Sequence, residues 1–287
     1  MRIAVVGCGE VGATYARALH QRAAHELVLC DPAPQAPLAR WACQQAVELH
    51  GAPGPWLAEV ERVWLCVDGD LAPDVVRGLL EHLTPGAVVV DLTTAAPADK
   101  RGCAAAAGDR VGYVDAVIMG AVGLTGAATP LLVAGPPVGL EGLDDLGAPV
   151  RHLPAAGPGD AAALKLLRSV LTKGLEALGV ECLLAAEELG VRDELGAVLA
   201  DIDEAGLTPF VEAVVRSHPQ HAARRRHEVA RAAHQLADSG RPSPLLEAVE
   251  ARFALTAASA AADPPATTSL DGALAWLATT TRTTDRS

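Results

Sequence analysis

The sequence predicts an α/β Rossmann domain followed by an all-α C-terminal domain, joined by a long interdomain helix. Three observations support this order. The first half alternates near-continuous apolar runs with helical patterns, which is typical of a parallel sheet covered on both faces. Strand patterns become scarce after Asp160, where one helical pattern runs over 160–189. The segment AAGPGD before it contains glycines and a proline, which interrupt regular structure.

The apolar runs of the first half are interpreted as strands, over 2–6, 26–31, 62–68, 87–92, 113–118, 130–135 and 149–153. The helical patterns between the first five of them cover 10–22, 37–50, 72–83 and 97–107. Because parallel strands need long crossovers, usually helices, this alternation favours βαβ units.

The second half is predicted to be helical, with further helices near 191–205, 208–217, 220–238 and 243–257. We therefore expect a Rossmann domain over 1–158, a helical domain over 159–257 and a partly disordered tail over 258–287. Within the tail, DGALAWLA (271–278) has the pattern of a short helix.

Composition and charge exclude several classes of function. The formal net charge of -12 disfavours nucleic-acid binding, since an acidic surface repels phosphate backbones. No apolar run approaches membrane-spanning length, and the chain enters a strand pattern without a secretory leader. The six cysteines form no CxxC pair and no zinc-like spacing. We expect a cytoplasmic protein with buried, reduced thiols, no metal site and no membrane or nucleic-acid partner.

The first predicted strand ends in a glycine-rich loop, Gly7-Cys8-Gly9-Glu10-Val11-Gly12, which fits G-x-G-x-x-G and opens a helix. In a dinucleotide site, the first glycine makes the tight turn, the second admits the pyrophosphate and the third packs helix against strand. Asp31 ends the next predicted strand, where a carboxylate can accept both ribose hydroxyls. The alternatives are a glycine-rich turn in an unrelated fold and a capping role for Asp31 beside Pro32.

The residues around Asp31 favour NAD(H) over NADP(H), although NADP(H) stays possible. A carboxylate there would repel a 2′-phosphate, and the segment 32–35 offers no arginine or lysine to bind one. Val67 and Asp68 end the next predicted strand and Thr93 follows the one after it, and we expect all three to line the same site, because the carboxyl ends of parallel strands meet at one edge.

The chain contains three lysines, Lys100, Lys165 and Lys173, and two of them lie on the predicted long helix. Lys165, Ser169 and Lys173 are spaced i, i+4, i+8 and therefore share one helical face. A lysine that is partly desolvated or near a second cation has a lowered pKa and can act as a general acid or base. The alternative is a pair of lysines that extend to solvent from a helix edge.

Four segments occur in an order that gives the chain a family resemblance: GCGEVG, DLTTAAP (91–97), YVDAVIMGAVG (113–123) and GPGDAAALKLLRS (157–169). Together they resemble the β-hydroxyacid dehydrogenase superfamily, which includes 3-hydroxyisobutyrate dehydrogenase, phosphogluconate dehydrogenase and the imine reductases. LTKGLEAL (171–178) and the arginine-rich segment before His227 resemble a branch of this superfamily with a C-terminal domain of unknown function.

The resemblance implies an NAD(P)-dependent oxidoreductase with Lys165 at the catalytic lysine position. It implies that Thr93 and Thr94 lie beside the nicotinamide and substrate, and that Met119-Gly120-Ala121 is the substrate-anchoring segment. His227 stands near the position of another family lysine, in the C-terminal domain. The arginines before His227 could form an anion clamp there, although a solvated basic face is the favoured interpretation.

Two departures from the family pattern argue against simple β-hydroxy acids as substrates. Met119 replaces a serine that helps to hold a substrate carboxylate, and Ser169 replaces an asparagine that commonly follows the lysine. Three functions stay open: a dehydrogenase or ketoreductase for a small polar hydroxy or keto compound, an imine reductase, and a non-catalytic nucleotide-binding protein. The retained Lys165 favours the first. Long Ala/Leu faces on the helices predict a homodimer that buries the 160–189 helix.

Overall fold

The structure is a computed structural model that describes residues 1–135, 138–266 and 268–280. Its strands are β1 (Arg2–Val6), β2 (Glu26–Cys30), β3 (Glu48–His50), β4 (Arg62–Leu65), β5 (Val88–Asp91), β6 (Gly112–Ile118), β7 (Leu131–Ala134) and β8 (Val150–His152). Its helices are α1 (Glu10–Arg22), α2 (Ala36–Gln44), α3 (Ala72–Leu80), α4 (Pro97–Ala107), α5 (Val122–Thr125), α6 (Asp160–Leu189), α7 (Arg192–Val198), α8 (Ala200–Ala205), α9 (Leu207–Asp238), α10 (Pro244–Ala262) and α11 (Leu270–Thr280). The predicted change from α/β to all-α after β8 is confirmed.

The strands form one sheet in the order β3-β2-β1-β4-β5-β6-β7-β8. Neighbours from β3 through β6 pair in parallel, as predicted, but β7 runs antiparallel to β6. The connection from β6 to β7 contains the four-residue helix α5 and a 3₁₀ turn, so it lacks the long crossover that a parallel neighbour needs. The prediction of a wholly parallel sheet is therefore wrong at β7.

Both faces of the sheet are covered, which explains why its strands are apolar without alternation. Ile3 and Val5 pack in one hydrophobic cluster, whereas Ala4 and Val6 pack in another, because successive side chains on a strand point to opposite faces. All four of these side chains are buried. Trp64 on β4 is also fully buried and meets Tyr15 of α1 edge to face.

The α/β half contains one strand where the sequence predicts a helix. The helix predicted over 37–50 ends at Gln44, because Ala46 adopts a positive φ of 54°, which a right-handed helix cannot continue. Residues Glu48–His50 then pair in parallel with β2 and form an edge strand of the sheet.

In the helical half, one proline does not break the helix that contains it. Two helices were predicted near 208–217 and 220–238, but α9 is continuous from Leu207 to Asp238 with Pro219 inside it. An internal proline costs about 3 kcal/mol because it removes one backbone hydrogen bond. Packing against α10 offsets this cost: Pro219 is buried, and the neighbouring His218 Nε2 lies 2.9 Å from Thr256 Oγ1.

The chain divides into two compact units, the first over Met1–Val170 and the second beginning at Leu171. The division falls inside α6, so the helix predicted to join the two domains contributes residues to both units. Across the residues that the structure describes, none of the helices combines the length and the apolar character needed to cross a membrane.

Candidate functional site

A cleft of about 660 Å³ opens in the first unit, where β1, β2, β4, β5 and β6 end. Ligands of open parallel sheets bind at this edge, outside the carboxyl ends of the strands. The predicted site residues that line the cleft are Gly7, Gly9, Glu10, Val11, Asp31, Val67, Asp68, Thr93, Thr94, Gly120 and Lys165. Residues distant in sequence, from the glycine loop to α6, thus face one cavity.

The glycines of the loop occupy three different environments. Gly7 has a φ of 87°, and a Cβ there would lie 2.7 Å from the Val67 nitrogen. A Cβ at Gly12 would lie 1.9 Å from the Gly7 carbonyl oxygen, so only glycine lets α1 approach the loop this closely. At Gly9 no atom lies within 4 Å of the Cβ position, which leaves that side of the loop open to a ligand.

Asp31 joins the glycine loop to the segment after β2. Its Oδ2 accepts a hydrogen bond from the Cys8 backbone nitrogen at 2.6 Å, and its Oδ1 accepts one from the Ala33 nitrogen at 2.8 Å. A carboxylate has about four acceptor positions, so these two bonds leave capacity for ribose hydroxyls. The capping interaction and the ribose-binding role are therefore compatible in one side chain.

The thiols around the glycine loop are held in the neutral form. Burial, followed by the charge of Asp31, raises the pKa of the Cys8 thiol to about 12 and that of Cys30 to about 11. Burial also raises the pKa of Cys66. Because the thiolate is the nucleophile, these cysteines pack around the cleft and do not supply a reactive group.

The segment after β5 forms another side of the cleft. The Thr93 backbone nitrogen donates to Asp91 Oδ1 at 2.8 Å, and the Thr93 hydroxyl accepts from the Ala95 nitrogen at 3.2 Å. Thr93 is buried, whereas Thr94 is exposed where it lines the cleft. Thr94 is therefore free to present its hydroxyl to a bound molecule.

Lys165 lies on the second turn of α6 and lines the same cleft. Burial is the main cause that lowers the pKa of its ammonium to about 8, and the positive charge of Lys100 lowers it further, against the opposing effect of Asp115. An amine with a pKa near neutrality can give up or accept a proton under ordinary conditions. Among the described residues that line the cleft, Lys165 is the one with a cationic side chain.

The other polar residues on this face of α6 have different surroundings. The Ser169 hydroxyl donates to the Lys165 carbonyl oxygen at 3.0 Å, which is a bond within the helix. Lys173 forms an ion pair with Glu176 three residues further on, and its side chain is 74% exposed. The i, i+8 spacing predicts Lys173 as the second cation beside Lys165. In the structure, the cation that lowers the pKa of Lys165 is Lys100 of α4, whereas Lys173 lies two turns further along α6 and points to solvent.

The predicted substrate-anchoring segment is divided between two cavities. Gly120 lines the cleft, but Met119 lines a separate groove of about 470 Å³, together with Leu164. Ala121 is exposed and precedes α5, where its carbonyl oxygen accepts from the Leu124 nitrogen at 3.0 Å. The Met119 side chain therefore does not take over the place of the family serine within the cleft.

The arginine-rich segment lies in the second unit, on α9, and His227 is exposed there. Arg224 pairs with Glu228, and Arg226 pairs with Glu250 at 3.1 Å. Arg225 donates to the Ser217 hydroxyl at 2.9 Å. Because the three arginine side chains already have partners within the second unit, their contacts do not support a clamp for an anionic ligand.

A buried ion cluster of Lys100, Asp91 and Asp115 was not predicted from the sequence. Lys100 Nζ lies 2.8 Å from Asp115 Oδ1 and 3.3 Å from Asp91 Oδ1, and all three side chains are fully buried. The Tyr113 hydroxyl also donates to Asp91, and burial raises the pKa of that phenol. The sequence contains a signal for this cluster, because DLTTAAP and YVDAVI each place an aspartate in a strand pattern and lysine is rare in this chain.

Two family models match the chain. The model described as the NAD binding domain of 6-phosphogluconate dehydrogenase matches residues 2–146. The model of a domain of unknown function, DUF1932, matches residues 186–256. These matches confirm the resemblance to the branch that combines the two domains.

Solved structures resemble the whole chain. A conserved hypothetical protein from Sinorhizobium meliloti 1021 is 28% identical, with a TM-score of 0.59 over 97% of this chain and 96% of that one. A protein of unknown function, described as similar to 3-hydroxyacid dehydrogenases, is 26% identical, with a TM-score of 0.60 over 89% and 96%. An imine reductase from Streptomyces aurantiacus shares the fold, at 20% identity and a TM-score of 0.74 over 96% and 99%. No curated protein sequence matches.

Proposed function

Because the chain belongs to the family that carries the NAD binding domain of 6-phosphogluconate dehydrogenase, we propose that it is a nicotinamide-dependent oxidoreductase. Its substrate is a small polar hydroxy or keto compound, and Lys165 is the acid/base. One observation carries this proposal: Lys165, with its pKa lowered to about 8, lines the same cleft as Gly9, Asp31 and Thr94.

The residues of the cleft fit a dinucleotide. The open position at Gly9 leaves room for a pyrophosphate against the N-terminus of α1, whose free backbone N–H groups and partial positive charge favour anions. Asp31 would accept the hydroxyls of the adenosine ribose. Val67 and Thr93 line the same cleft. When bound, the nicotinamide would supply or accept the hydride.

Lys165 would move the proton that accompanies hydride transfer. In the direction of reduction, its ammonium donates a proton to the carbonyl oxygen as that atom gains negative charge, and it is left as a neutral amine. In the direction of oxidation, the neutral amine accepts the hydroxyl proton. The exposed Thr94 hydroxyl would orient the same oxygen by a hydrogen bond. In reduction the substrate gains one hydride and one proton, and in oxidation it loses one of each.

The charges of the cleft support NAD(H) as the cofactor. Glu10, Asp31 and Asp68 line it, and each carboxylate would repel the 2′-phosphate of NADP(H). A site built for that phosphate usually provides an arginine or lysine close to the ribose. Among the described lining residues, the cation is Lys165, on the helix proposed to hold the acid/base.

We propose that the chain forms a homodimer through α6 and its neighbours. Leu167 is 66% exposed and Val170 is 75% exposed, and Val180 and Leu183 on the same helix are each more than half exposed. A row of exposed apolar side chains along a long helix is typical of an interface. A cytoplasmic location stays a prediction.

A substrate panel tests the proposed function. Small polar keto compounds and imines are each mixed with the protein and NADH, and hydroxy compounds with NAD, while NADH absorbance is followed. We expect turnover with keto or hydroxy compounds. Turnover restricted to imines would assign the alternative activity. Tight NADH binding without turnover of any compound class would indicate a nucleotide-binding protein, and the oxidoreductase proposal would be withdrawn.

A further inference from the structure

The ion cluster of Lys100, Asp91 and Asp115 is fully buried in the first unit. Asp91 and Asp115 are register partners on the neighbouring strands β5 and β6, so two carboxylates lie side by side there. Like charges in adjacent positions repel each other strongly in a dry interior. Lys100 reaches them from α4, and its Nζ also donates to the Asp91 carbonyl oxygen at 3.0 Å. The lysine is therefore the group that permits both carboxylates to be buried.

Each carboxylate of the cluster also holds a segment of the proposed active site. Asp91 Oδ1 accepts from the Thr93 nitrogen at 2.8 Å, which fixes the start of the Thr93–Thr94 segment. Asp115 Oδ2 accepts from the Gly159 nitrogen at 2.9 Å and from the Ala162 nitrogen at 3.1 Å. Gly159 directly precedes α6, and Ala162 belongs to its first turn, one turn before Lys165. One buried cation thus connects two separate segments that line the cleft.

We propose that Lys100 is a positioning residue: its buried ammonium fixes the Thr93–Thr94 segment and the start of α6 relative to each other, and places a positive charge near Lys165. This inference rests on the proposed role of Lys165 as the acid/base. Lys100 itself is fully buried and does not line the cleft, so it acts through these neighbours and not on a substrate.

The electrostatic part of this role has two opposing components. The described charged groups that act on Lys165 are Lys100 of α4, which lowers its pKa, and Asp115 of β6, which raises it. We therefore expect removal of the Lys100 charge to raise the pKa of Lys165, and removal of the Asp115 charge to lower it. A residue with only a structural role would not produce shifts of opposite sign.

NMR of the lysine side chains measures the pKa of Lys165 directly. The chain has three lysines, so protein labelled with ¹³C at lysine Cε gives three side-chain signals, and a Lys165→Met variant identifies the signal of Lys165. The pH midpoint of that signal is compared between the unaltered protein, Lys100→Met and Asp115→Asn. We expect midpoint shifts of roughly one pH unit, upward in Lys100→Met and downward in Asp115→Asn. Lys100→Arg keeps the charge and should return the midpoint close to that of the unaltered protein.

Amide hydrogen exchange tests the mechanical part. In Lys100→Met, the Thr93, Gly159 and Ala162 amides should exchange at least about tenfold faster, since their carboxylate acceptors lose their counter-ion. The control is Arg77→Met, which removes an exposed cation of α3 that pairs with Asp74. In that control, neither the exchange rates nor the Lys165 midpoint should change.

The outcomes separate this inference from the proposed function, because neither measurement needs a substrate. A Lys165 midpoint that stays constant, or that moves the same way in Lys100→Met and Asp115→Asn, would overturn the electrostatic role. If Lys100→Met does not fold, Lys100→Gln takes its place, because it also removes the charge but keeps a hydrogen-bond donor for the buried carboxylates. An upward midpoint shift in that variant, together with a downward shift in Asp115→Asn, would support the proposal, and any other pair of results would overturn it.

Discussion

Replacement of Lys165 by methionine is the most informative single change, because it removes the proposed proton carrier and keeps an unbranched apolar side chain of similar length. The lowered pKa of Lys165 determines how much neutral amine the site provides. With a pKa near 8 in place of 10.5, about 9% of the amine is neutral at pH 7, roughly 300-fold more than an unperturbed lysine would provide. Loss of a general acid/base typically lowers the rate about 10²–10⁴-fold, and we expect kcat to fall within that range.

The assay is steady-state turnover as a function of pH, with a substrate found in the panel. Because Lys165 must be a neutral amine to accept a proton, the rate of oxidation should rise with pH and level off above about 8. The rate of reduction should fall as pH rises through the same value, because the ammonium is then lost. Both dependences should disappear in Lys165→Met. Arg168→Met, which removes an exposed cation from the same helix, is the matched control and should keep both profiles.

NADH binding separates loss of chemistry from loss of structure. Since Gly9 and Asp31 are proposed to hold the dinucleotide, its dissociation constant should change less than about threefold in Lys165→Met. A variant that binds NADH normally and retains more than about a tenth of the original kcat would refute the assignment of Lys165 as acid/base. The proton would then have to come from another group, such as a water molecule.

Three further predictions follow from the same site. Gly9→Ala should fold normally but weaken NADH binding. Gly12→Ala, whose Cβ would lie 1.9 Å from a carbonyl oxygen, should lose about 1–3 kcal/mol of stability in denaturant unfolding. The exposed Gly102→Ala is the control, and equal losses of stability in all three variants would contradict the prediction. Asp31→Ala should weaken NADH binding about 10- to 100-fold and reduce the preference of the protein for NADH over NADPH. If the unaltered protein binds NADPH more tightly than NADH, the role of Asp31 in selecting NADH is wrong. Light scattering should give twice the mass of one chain, and Val180→Asp should shift it toward the monomer; a monomer at micromolar concentration in the unaltered protein would refute the dimer.

The sequence predicted the larger elements because their signals are local. The apolar strands and the 30-residue helix α6 follow from hydrophobic patterns that need no knowledge of distant contacts. The elements predicted incorrectly depend on partners. Residues 48–50 become a strand because β2 offers an unpaired edge, and Pro219 stays within α9 because packing of this helix outweighs the lost hydrogen bond. Neither contact can be seen in the local sequence.

The same distinction applies to the candidate site. The glycine loop and Asp31 were identified because their spacing along the chain encodes a local geometry, a strand followed by a tight turn and a helix. The partner of Lys165 was misassigned to Lys173, because helical spacing relates residues on one element only. Lys100 lies 65 positions before Lys165 on a different helix, and the fold connects them through Asp115 of β6, which contacts Lys100 Nζ and accepts from the Ala162 nitrogen. Tertiary proximity of this kind needs the fold before it can be inferred.

Burial is the main cause of the lowered pKa of Lys165, and the ion cluster adjusts that pKa. Burial alone can lower the pKa of a lysine by several units, to a value at which it would be neutral throughout the physiological range. Lys100 adds to the lowering caused by burial and Asp115 opposes it to a smaller extent, and these two side chains are themselves in contact at 2.8 Å. Both protonation states of Lys165 are then accessible near neutral pH. A site with these properties can donate a proton during reduction and accept one during oxidation, and the concentrations of substrate and cofactor would decide the direction.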